Sequence, residues 1–326
     1  MKHLEFSSTP ITALNYFSDK LNCNIIAKRD DLFPEALGGN KARMLQYILA
    51  DVNNKNVDTI ITAGGPNSNF NRACALMCAK LGVKMHLIEY TDNIEEYKNS
   101  LNYFICNLSG ISKTRCDKGN VPSTIESVID GYKGEKVKFI YGGGKSLEGF
   151  YSYYDAVFEL KKQVDKIDHL FISCGTGTTL TGICAGFQEL YPNAKVHAIS
   201  VARSLEAEMP VLIDDMNILN TYLKTDYNYS NLSFYEQFLC GGYGKSTQEL
   251  LNCIRQCIEK EGMIVDPCYS GKSFYGMNEI IQANPNEFRG KNILYWNTGE
   301  AVRKPVGTAN RLIEAGFSSL MPVIAV

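Results

Sequence analysis

Residues 169–182 read HLFISCGTGTTLTG, an apolar run of strand length followed by a glycine- and threonine-rich turn and the start of a helix. Such a turn can surround a phosphate group with backbone N–H groups and threonine hydroxyls, and the helix dipole favours the anion. Glycine is needed there because a side chain would keep the backbone away from the anion. The pattern predicts a phosphate site, with an ordinary glycine turn as the alternative. Its residues are Gly175, Thr176, Gly177, Thr178 and Thr179.

Short apolar runs alternate with longer amphipathic stretches along most of the chain. The runs lie at residues 59–62, 85–88, 138–141, 169–172, 196–199 and 292–295. Short buried strands separated by helices are typical of α/β folds with mainly parallel sheets flanked by helices. Apolar residues at helical spacing, with a glycine after the last turn, predict helices over residues 69–80 and 245–261. Residues 203–240 give no clear pattern.

Two commoner phosphate-binding motifs are disfavoured. Gly-Lys-Ser triplets occur at residues 144–146, 244–246 and 271–273, but none has the further glycine that a P-loop needs five residues before the triplet's glycine. The turn at 175–182 lacks the third glycine of a dinucleotide fingerprint, because Leu180 stands there. Neither a P-loop NTPase nor NAD binding is therefore expected.

The composition disfavours several classes of partner. The chain has 326 residues, of which 45% are hydrophobic, and a net charge of −2. Because it has no basic run, we expect no nucleic acid and no anionic membrane as partners. The first residues lack the apolar core of a signal peptide, and no run reaches the roughly 18 apolar residues of a membrane helix. We expect a soluble, cytoplasmic protein.

The cysteines argue against both a disulfide framework and a metal centre. There are 11 of them, an odd number, in a long chain without an export signal. No Cys-x-x-Cys pair occurs, and the four histidines are scattered singly. We expect small buried thiols and no bound metal.

One lysine stands out near the start of the chain. Lys41 follows Gly38-Gly39-Asn40 and begins an amphipathic stretch, so its position is well defined. A single lysine is usually a solvated surface charge. Pyridoxal 5'-phosphate, however, needs one lysine amine for its aldehyde and one anion site for its phosphate. Lys41 and the 175–179 loop together predict this cofactor.

Five segments carry a specific resemblance, and they span residues 28 to 299 in order. They are Asp30-Asp31-Leu32 with Gly38-Gly39-Asn40-Lys41-Ala42-Arg43, the stretch from Asn67-Ser68-Asn69 to Gly82, residues 175–182, residues 266–273, and Tyr295-Trp296-Asn297-Thr298-Gly299. In these segments the chain resembles the D-cysteine desulfhydrase and 1-aminocyclopropane-1-carboxylate (ACC) deaminase family. That family belongs to the fold-type-II enzymes, which are similar to the β subunit of tryptophan synthase and depend on pyridoxal phosphate.

The resemblance implies how the cofactor is held. Lys41 would bond it as a Schiff base and, once released, move the proton at the substrate Cα. Asn69 would hydrogen-bond its phenolic oxygen, and Gly175, Thr176, Gly177, Thr178 and Thr179 would bind its phosphate. Ser270 would face its pyridine nitrogen.

The resemblance also implies a substrate side. Asn67, Ser68 and Asn69 would bind the carboxylate of a small amino acid, and Ser68 could relay a proton. Tyr243 and Tyr269 match two active-site tyrosines of the family. From composition alone, the tyrosines of this chain would mostly pack or cap surfaces, and Ser68 would be a helix N-cap.

The identity of the pyridine partner bears on the reaction. ACC deaminases have a glutamate where Ser270 stands, and a carboxylate keeps the pyridine nitrogen protonated. D-cysteine desulfhydrases have a threonine there, so Ser270 is the nearer match. We therefore expect α,β-elimination from a β-substituted amino acid, with D-cysteine giving pyruvate, sulfide and ammonia.

Several positions depart from the family pattern on the expected substrate side. Asn67 replaces a glutamine, Phe70 replaces a histidine, and Asn297 and Glu300 change a His-Thr-Gly-Gly turn. Four alternatives therefore stay open: an ACC deaminase, a β-replacement synthase, an amino-acid racemase, or a protein that binds cofactor or amino acid without turnover.

The resemblance implies two domains and a homodimer. A large cofactor-binding domain would combine residues 1–45 with 146–326, and a small domain would comprise residues 46–145. Symmetric dimers are also the commonest soluble assemblies.

Overall fold

A computed structural model of the chain describes residues 1–299. The described chain forms two compact units, one made of Met1–Val57 with the residues from Ile140 onward, the other of Asp58–Phe139. Glu300, and the part of the predicted large domain beyond it, lie outside the described residues. Since compactness does not test whether either unit folds alone, the domain assignment stays a prediction.

The strands and helices of the described residues are as follows. The strands are β1 (Ile11–Ala13), β2 (Asn24–Arg29), β3 (Thr59–Gly64), β4 (Lys84–Tyr90), β5 (Ser112–Cys116), β6 (Val137–Ile140), β7 (His169–Cys174), β8 (Lys195–Ser200), β9 (Leu232–Tyr235) and β10 (Asn292–Asn297). The helices are α1 (Asn15–Leu21), α2 (Gly39–Asn54), α3 (Asn69–Leu81), α4 (Leu101–Leu108), α5 (Val121–Gly131), α6 (Leu147–Lys161), α7 (Thr178–Leu190), α8 (Leu205–Leu223), α9 (Gln248–Glu261), α10 (Ser270–Ala283) and α11 (Pro285–Phe288).

The first unit contains a six-stranded sheet in the order β1-β2-β10-β7-β8-β9. Only the edge strand β1 runs antiparallel to its neighbour, and the other pairs are parallel. Every residue of β7 is buried, as expected for a parallel strand covered on both faces. An apolar cluster on this sheet includes Phe17, Phe171 and Phe274, whose burial contributes about 1.5–3 kcal/mol each. The predicted α/β fold with mainly parallel strands is confirmed.

The second unit contains a four-stranded sheet in the order β5-β4-β3-β6. Strands β3, β4 and β5 are parallel neighbours, and β3 is buried throughout. Helix α3 begins directly after the loop that follows β3, so polar residues at its start lie near the carboxyl end of a buried strand. This is the usual place for a ligand site in a parallel sheet.

The helix ends explain where the sequence predictions held and where they failed. Helix α3 ends at a left-handed Gly82, as predicted. The predicted start of α9 at Lys245 is wrong by three residues, because Gly244 takes a positive φ of 73° and Thr247 caps the helix. Residues 203–240, which gave no pattern, contain α8 and β9.

Among residues 1–299, no helix is both long enough and apolar enough to cross a bilayer. No three histidine, cysteine or acidic side chains of this part of the chain come together as a set of metal ligands.

Candidate active site

Lys41 lies in the first turn of α2, where the backbone in front of it is fixed by glycines. Gly38 and Gly39 both take positive φ angles, 76° and 87°. A Cβ at Gly38 would lie 2.2 Å from the carbonyl oxygen of Asp31, so only glycine fits there. The Lys41 ammonium donates to the carbonyl oxygen of Gly143 at 3.2 Å. The amine is therefore held at a defined place.

The same segment is docked on the chain that follows β10. The backbone N–H of Asn40 donates to the Thr298 carbonyl at 2.8 Å. A Cβ at Gly299 would approach the Cα of Gly39 to 2.5 Å, so the two backbones touch. The late Thr-Gly pair therefore packs directly against the early Gly-Gly pair.

The 175–179 loop joins β7 to α7 and has the features of an anion site. Gly177 is the N-cap of α7 with a φ of 80°, and no side chain among the described residues caps this helix. A Cβ at Gly177 would lie 2.6 Å from Leu212 Cδ2, so a side chain is excluded. The first-turn N–H groups of a helix bind anions when no side chain caps them. The loop therefore fits a phosphate group.

Lys41 and the 175–179 loop are brought together within the first unit. The Asn40 side-chain amide donates to Thr179 Oγ1 at 3.0 Å. A Cβ at Gly143, whose carbonyl accepts from Lys41, would lie 3.0 Å from Thr176 Oγ1. An amine and an anion site are thus joined by direct contacts.

A buried carboxylate next to the loop is balanced by an arginine. Glu208 Oε1 would lie 3.1 Å from a Cβ at Gly177. Arg203 donates to Glu208 at 2.9 Å, so a negative charge beside the anion site is compensated. Burial, and then Glu208, raise the pKa of the Cys174 thiol well above its usual value, which makes Cys174 a neutral neighbour.

Ser270 begins α10 and is tied to a carboxylate. Its hydroxyl donates to Asp266 Oδ2 at 2.8 Å and accepts from the Asp266 N–H at 2.9 Å. Asp266 also accepts the backbone N–H groups of Cys268, Tyr269 and Ser270. The hydroxyl hydrogen of Ser270 is therefore engaged, and one lone pair remains for a further donor.

The two tyrosines predicted for the active site, Tyr243 and Tyr269, are in contact. The hydroxyls of Tyr243 and Tyr269 are hydrogen-bonded, and their rings pack edge to face with centroids 5.7 Å apart. Tyr269 also lies against the 175–179 loop, because a Cβ at Gly175 would be 3.4 Å from its ring. Tyr269, Ser270 and the loop therefore form one surface.

A buried lysine that the sequence did not single out supports Tyr243. The side chain of Lys272 is fully buried and donates to the carbonyl oxygens of Leu239 and Gly242, at 2.7 and 2.8 Å. These carbonyls belong to the loop that carries Tyr243, which is 56% exposed. Burial lowers the pKa of Lys272. The two hydrogen bonds from Lys272 tie the loop that carries Tyr243 to α10.

The remaining predicted residues lie in the second unit. Ser68 is the N-cap of α3 and accepts the N–H of Asn71 at 3.2 Å, which is the structural role weighed for it. Asn67 accepts a hydrogen bond from Ser100 at 2.6 Å. Asn69 is 4% exposed, and its amide nitrogen has no hydrogen-bond partner among the described residues. This buried donor is therefore available to the acceptor of a ligand.

Comparison with known proteins identifies the family. The family model described as pyridoxal-phosphate dependent enzyme matches residues 3–299. The chain belongs to this family. D-cysteine desulfhydrase of Klebsiella pneumoniae (strain 342) is 28% identical over 305 residues, covering 90% of this chain and 92% of the relative.

Solved structures agree with that membership. A structure described as an ACC deaminase homologue has a TM-score of 0.86 and 28% identity, with 96% of this chain and 95% of that chain covered. Serine racemase from Dictyostelium discoideum shares the fold, with a TM-score of 0.68, 16% identity, and coverage of 89% and 92%. The predictions of a pyridoxal-phosphate-dependent enzyme, of its fold and of its cofactor are confirmed.

Proposed function

We propose that this pyridoxal-phosphate-dependent enzyme catalyses α,β-elimination from a small β-substituted amino acid, with D-cysteine and water giving pyruvate, sulfide and ammonia. The observation that carries the cofactor half of the proposal is the direct contact of the Lys41 segment with the 175–179 loop. The similarity to a D-cysteine desulfhydrase supports the substrate half.

We propose that residues 1–45 and 146–326 form the cofactor-binding domain. Lys41 would bond the cofactor aldehyde, and Gly175, Thr176, Gly177, Thr178 and Thr179 would bind its phosphate. When bound, pyridoxal phosphate supplies an electron-withdrawing ring that weakens the bonds at the Cα of an amino acid. The amine of Lys41, held by Gly143, would then move the proton at that Cα.

The substrate carboxylate would bind at the start of α3. Asn67, Ser68 and Asn69 precede or begin this helix, whose first-turn N–H groups and dipole favour an anion. Because Ser68 uses a lone pair to cap the helix, its O–H hydrogen stays available for an oxygen of the carboxylate.

The two tyrosines would protonate the leaving group. Tyr269 lies against the 175–179 loop, and its hydroxyl contacts that of Tyr243. A phenol of this kind can donate a proton to a departing thiolate, while the second phenol keeps the first oriented. An exposed Tyr243 can also exchange its proton with solvent.

The residue at position 270 favours elimination over ring opening of ACC. Its side chain is a buried hydroxyl rather than a carboxylate, and its hydrogen is already donated to Asp266. The lone pair that remains on Ser270 carries no full charge, so it would stabilise a protonated pyridine nitrogen less than the carboxylate of an ACC deaminase would.

We also propose a cytoplasmic homodimer. All 11 cysteines are free thiols in the structure, as expected in a reducing compartment. Light scattering on the purified holoenzyme measures the oligomeric state, and a monomeric mass would contradict the dimer.

The decisive experiment incubates the holoenzyme separately with D-cysteine, L-cysteine and ACC and measures keto acid and sulfide. Lys41→Ala is the blank, and Lys55→Ala, at the other end of α2 and exposed, is the matched control. We expect pyruvate with sulfide from D-cysteine in the wild type and in Lys55→Ala. Formation of 2-oxobutanoate from ACC, with D-cysteine untouched, would overturn the proposal in favour of ACC deamination.

A further inference from the structure

Three buried polar side chains at the start of α3 and α4 form a closed hydrogen-bonded group. Asn69, Arg72 and Asn102 are 4%, 2% and 1% exposed. Arg72 Nη1 donates to Asn69 Oδ1 at 3.3 Å and to Asn102 Oδ1 at 3.1 Å. The Asn102 amide nitrogen in turn donates to Asn69 Oδ1 at 2.7 Å. All three residues belong to the second unit.

The group determines which way the Asn69 amide points. A guanidinium has donors and no acceptor, so both amides must turn their oxygen atoms toward Arg72. The Asn102 nitrogen then faces Asn69 Oδ1, which receives two donors. The Asn69 nitrogen is left directed away from the group, buried and without a partner among the described residues. The reverse orientation of Asn69 would place its N–H₂ against two donors.

Asn102 also bonds Asn67, at the other end of the three-residue segment 67–69. Its amide nitrogen donates to the backbone carbonyl of Asn67 at 2.9 Å. Ser100, the N-cap of α4, donates its hydroxyl to the Asn67 side chain at 2.6 Å. The start of α4 therefore fixes both Asn67 and Asn69, although it lies some thirty residues away in the chain.

We infer that Asn102, together with Arg72, is a positioning residue that orients the Asn69 amide so that its N–H₂ is presented to the phenolic oxygen of pyridoxal phosphate. The inference rests on the proposed function and on the contact with the phenolic oxygen that the family resemblance implies for Asn69. It explains why a buried donor without a protein partner is retained, because such a group is costly unless a ligand acceptor completes it.

The orientation has an electronic consequence for the cofactor. A donor that points at the phenolic oxygen stabilises the ionised form of that oxygen and lowers its pKa. Loss of the donor should move the pH midpoint of the change in the cofactor's absorption band upward. A change of about one pH unit corresponds to a roughly 10-fold weaker preference for the ionised form.

The experiment measures cofactor affinity and this absorption midpoint in the holoenzyme, without substrate. Asn102→Ala removes one of the two donors to Asn69, and Asn102→Asp keeps the shape but offers Asn69 an acceptor, which favours the reversed amide. We expect roughly 10-fold weaker binding of pyridoxal phosphate and a raised midpoint, with Asn102→Asp at least as severe as Asn102→Ala. Asn107→Ala, at an exposed position of the same helix, is the control and should match the wild type.

A double-mutant cycle separates positioning from general structure. In an Asn69→Ala background the Asn102 substitutions should have no further effect on the midpoint, because they act through Asn69. An unchanged midpoint in folded Asn102→Ala and Asn102→Asp, or full additivity with Asn69→Ala, would overturn the inference. Failure of both variants to fold would also overturn it, since Asn102 would then be a structural residue. A wild type that binds no pyridoxal phosphate would instead refute the proposed function.

Discussion

Asp30 and Arg43 form a fully buried ion pair in which the guanidinium contacts both carboxylate oxygens, at 2.7 and 3.0 Å. Trp296 and Tyr153 also donate to Asp30, at 2.9 and 2.6 Å. Burial opposes ionisation of Asp30, but the Arg43 charge and its hydrogen bonds outweigh it and hold the carboxyl pKa below its usual value. The pair fastens α2, and with it Lys41, to the large sheet.

Arg43→Met should therefore destabilise the protein strongly. The change removes the only cation among the described residues that is hydrogen-bonded to buried Asp30, and Glu159 loses the same partner. Removal of one partner of a buried pair costs about 3–5 kcal/mol. Urea denaturation of the holoenzyme measures the free energy of unfolding. Arg255→Met, which removes an exposed pair with Glu259, is the matched control and should cost under about 0.5 kcal/mol. Equal losses in the two variants would contradict the importance of the buried pair.

Lys272→Met should impair both turnover and stability. Methionine retains an unbranched apolar stem, but the carbonyls of Leu239 and Gly242 keep only their backbone N–H donors. The Tyr243 loop thereby loses the two hydrogen bonds that tie it to α10. We expect kcat/KM for D-cysteine to fall about 10- to 100-fold, with the free energy of unfolding lower by about 1–3 kcal/mol. Steady-state kinetics and thermal unfolding check this, with exposed Lys166→Met as the control. Wild-type kinetics in Lys272→Met would mean that Tyr243 needs no such support.

Ser270→Thr and Ser270→Glu should differ sharply. Threonine keeps the hydroxyl that Asp266 binds, so we expect activity toward D-cysteine within about 10-fold of the wild type. Glutamate brings a second carboxylate beside buried Asp266, and like charges at close range oppose ionisation of both. We expect elimination to fall by more than about 10-fold in Ser270→Glu. Pyruvate release from D-cysteine is the measurement, and equal rates in both variants would show that a charge at 270 is harmless.

Low pH should destabilise the folded protein because it contains a buried histidine. His197 stacks on Phe171 and contacts His169 and Tyr235 at 3.0 and 3.1 Å. Burial lowers the pKa of His197 to about 3, against an ordinary value of 6.5. Below pH 6.5 His197 binds a proton in the unfolded chain but not in the folded chain. The free energy of unfolding therefore decreases as the pH falls toward 3, by up to about 1.4 kcal/mol per pH unit.

His197→Phe keeps an aromatic ring and removes that titration. We expect urea unfolding to depend less steeply on pH between 6.5 and 4 than in the wild type. The matched His3→Phe variant, at an exposed position, should retain the wild-type dependence. An unchanged slope in His197→Phe would exclude His197 as its source.

The sequence predicted those parts of the site that lie within short segments. The glycines of the 175–179 loop, the Gly-Gly-Asn-Lys segment and the limits of α3 follow local rules of backbone geometry and capping. Lys41 and the loop could be combined only because one cofactor needs both an amine and an anion site. The contact of Asn40 with Thr179, across 139 residues, is what the structure adds.

The rest depends on contacts between distant residues, which no spacing indicates. Asn102 reaches Asn69 across 33 positions, and a buried asparagine in a short helix looks like any surface amide in sequence. Lys272 looks like a surface charge until its burial is seen. Helix α8 gives no clear pattern in the sequence because Pro210 lies inside it and apolar residues such as Ile213 and Ile218 are exposed on it.

The residues that depart from the family pattern differ in their structural roles. Asn297 is buried, donates to the Ile264 carbonyl and accepts the Gly299 N–H, so it maintains the turn against which Gly39 packs. Phe70 is 1% exposed in α3. These two side chains therefore serve the local structure of this chain, and among the described departures Asn67 is the one that we propose acts on the substrate.

The backbone contact between Gly39 and Gly299 bears on how this enzyme can evolve. Main-chain atoms define the position of the lysine segment there, alongside the buried Asp30–Arg43 pair. Substitutions of Asn67 itself, on the proposed substrate side, are expected to leave both contacts intact, so a gene copy can change its preferred amino acid in single steps. Lineages that retain the glycine pair are then expected to diversify in substrate long before they lose the ability to react with amino acids at all.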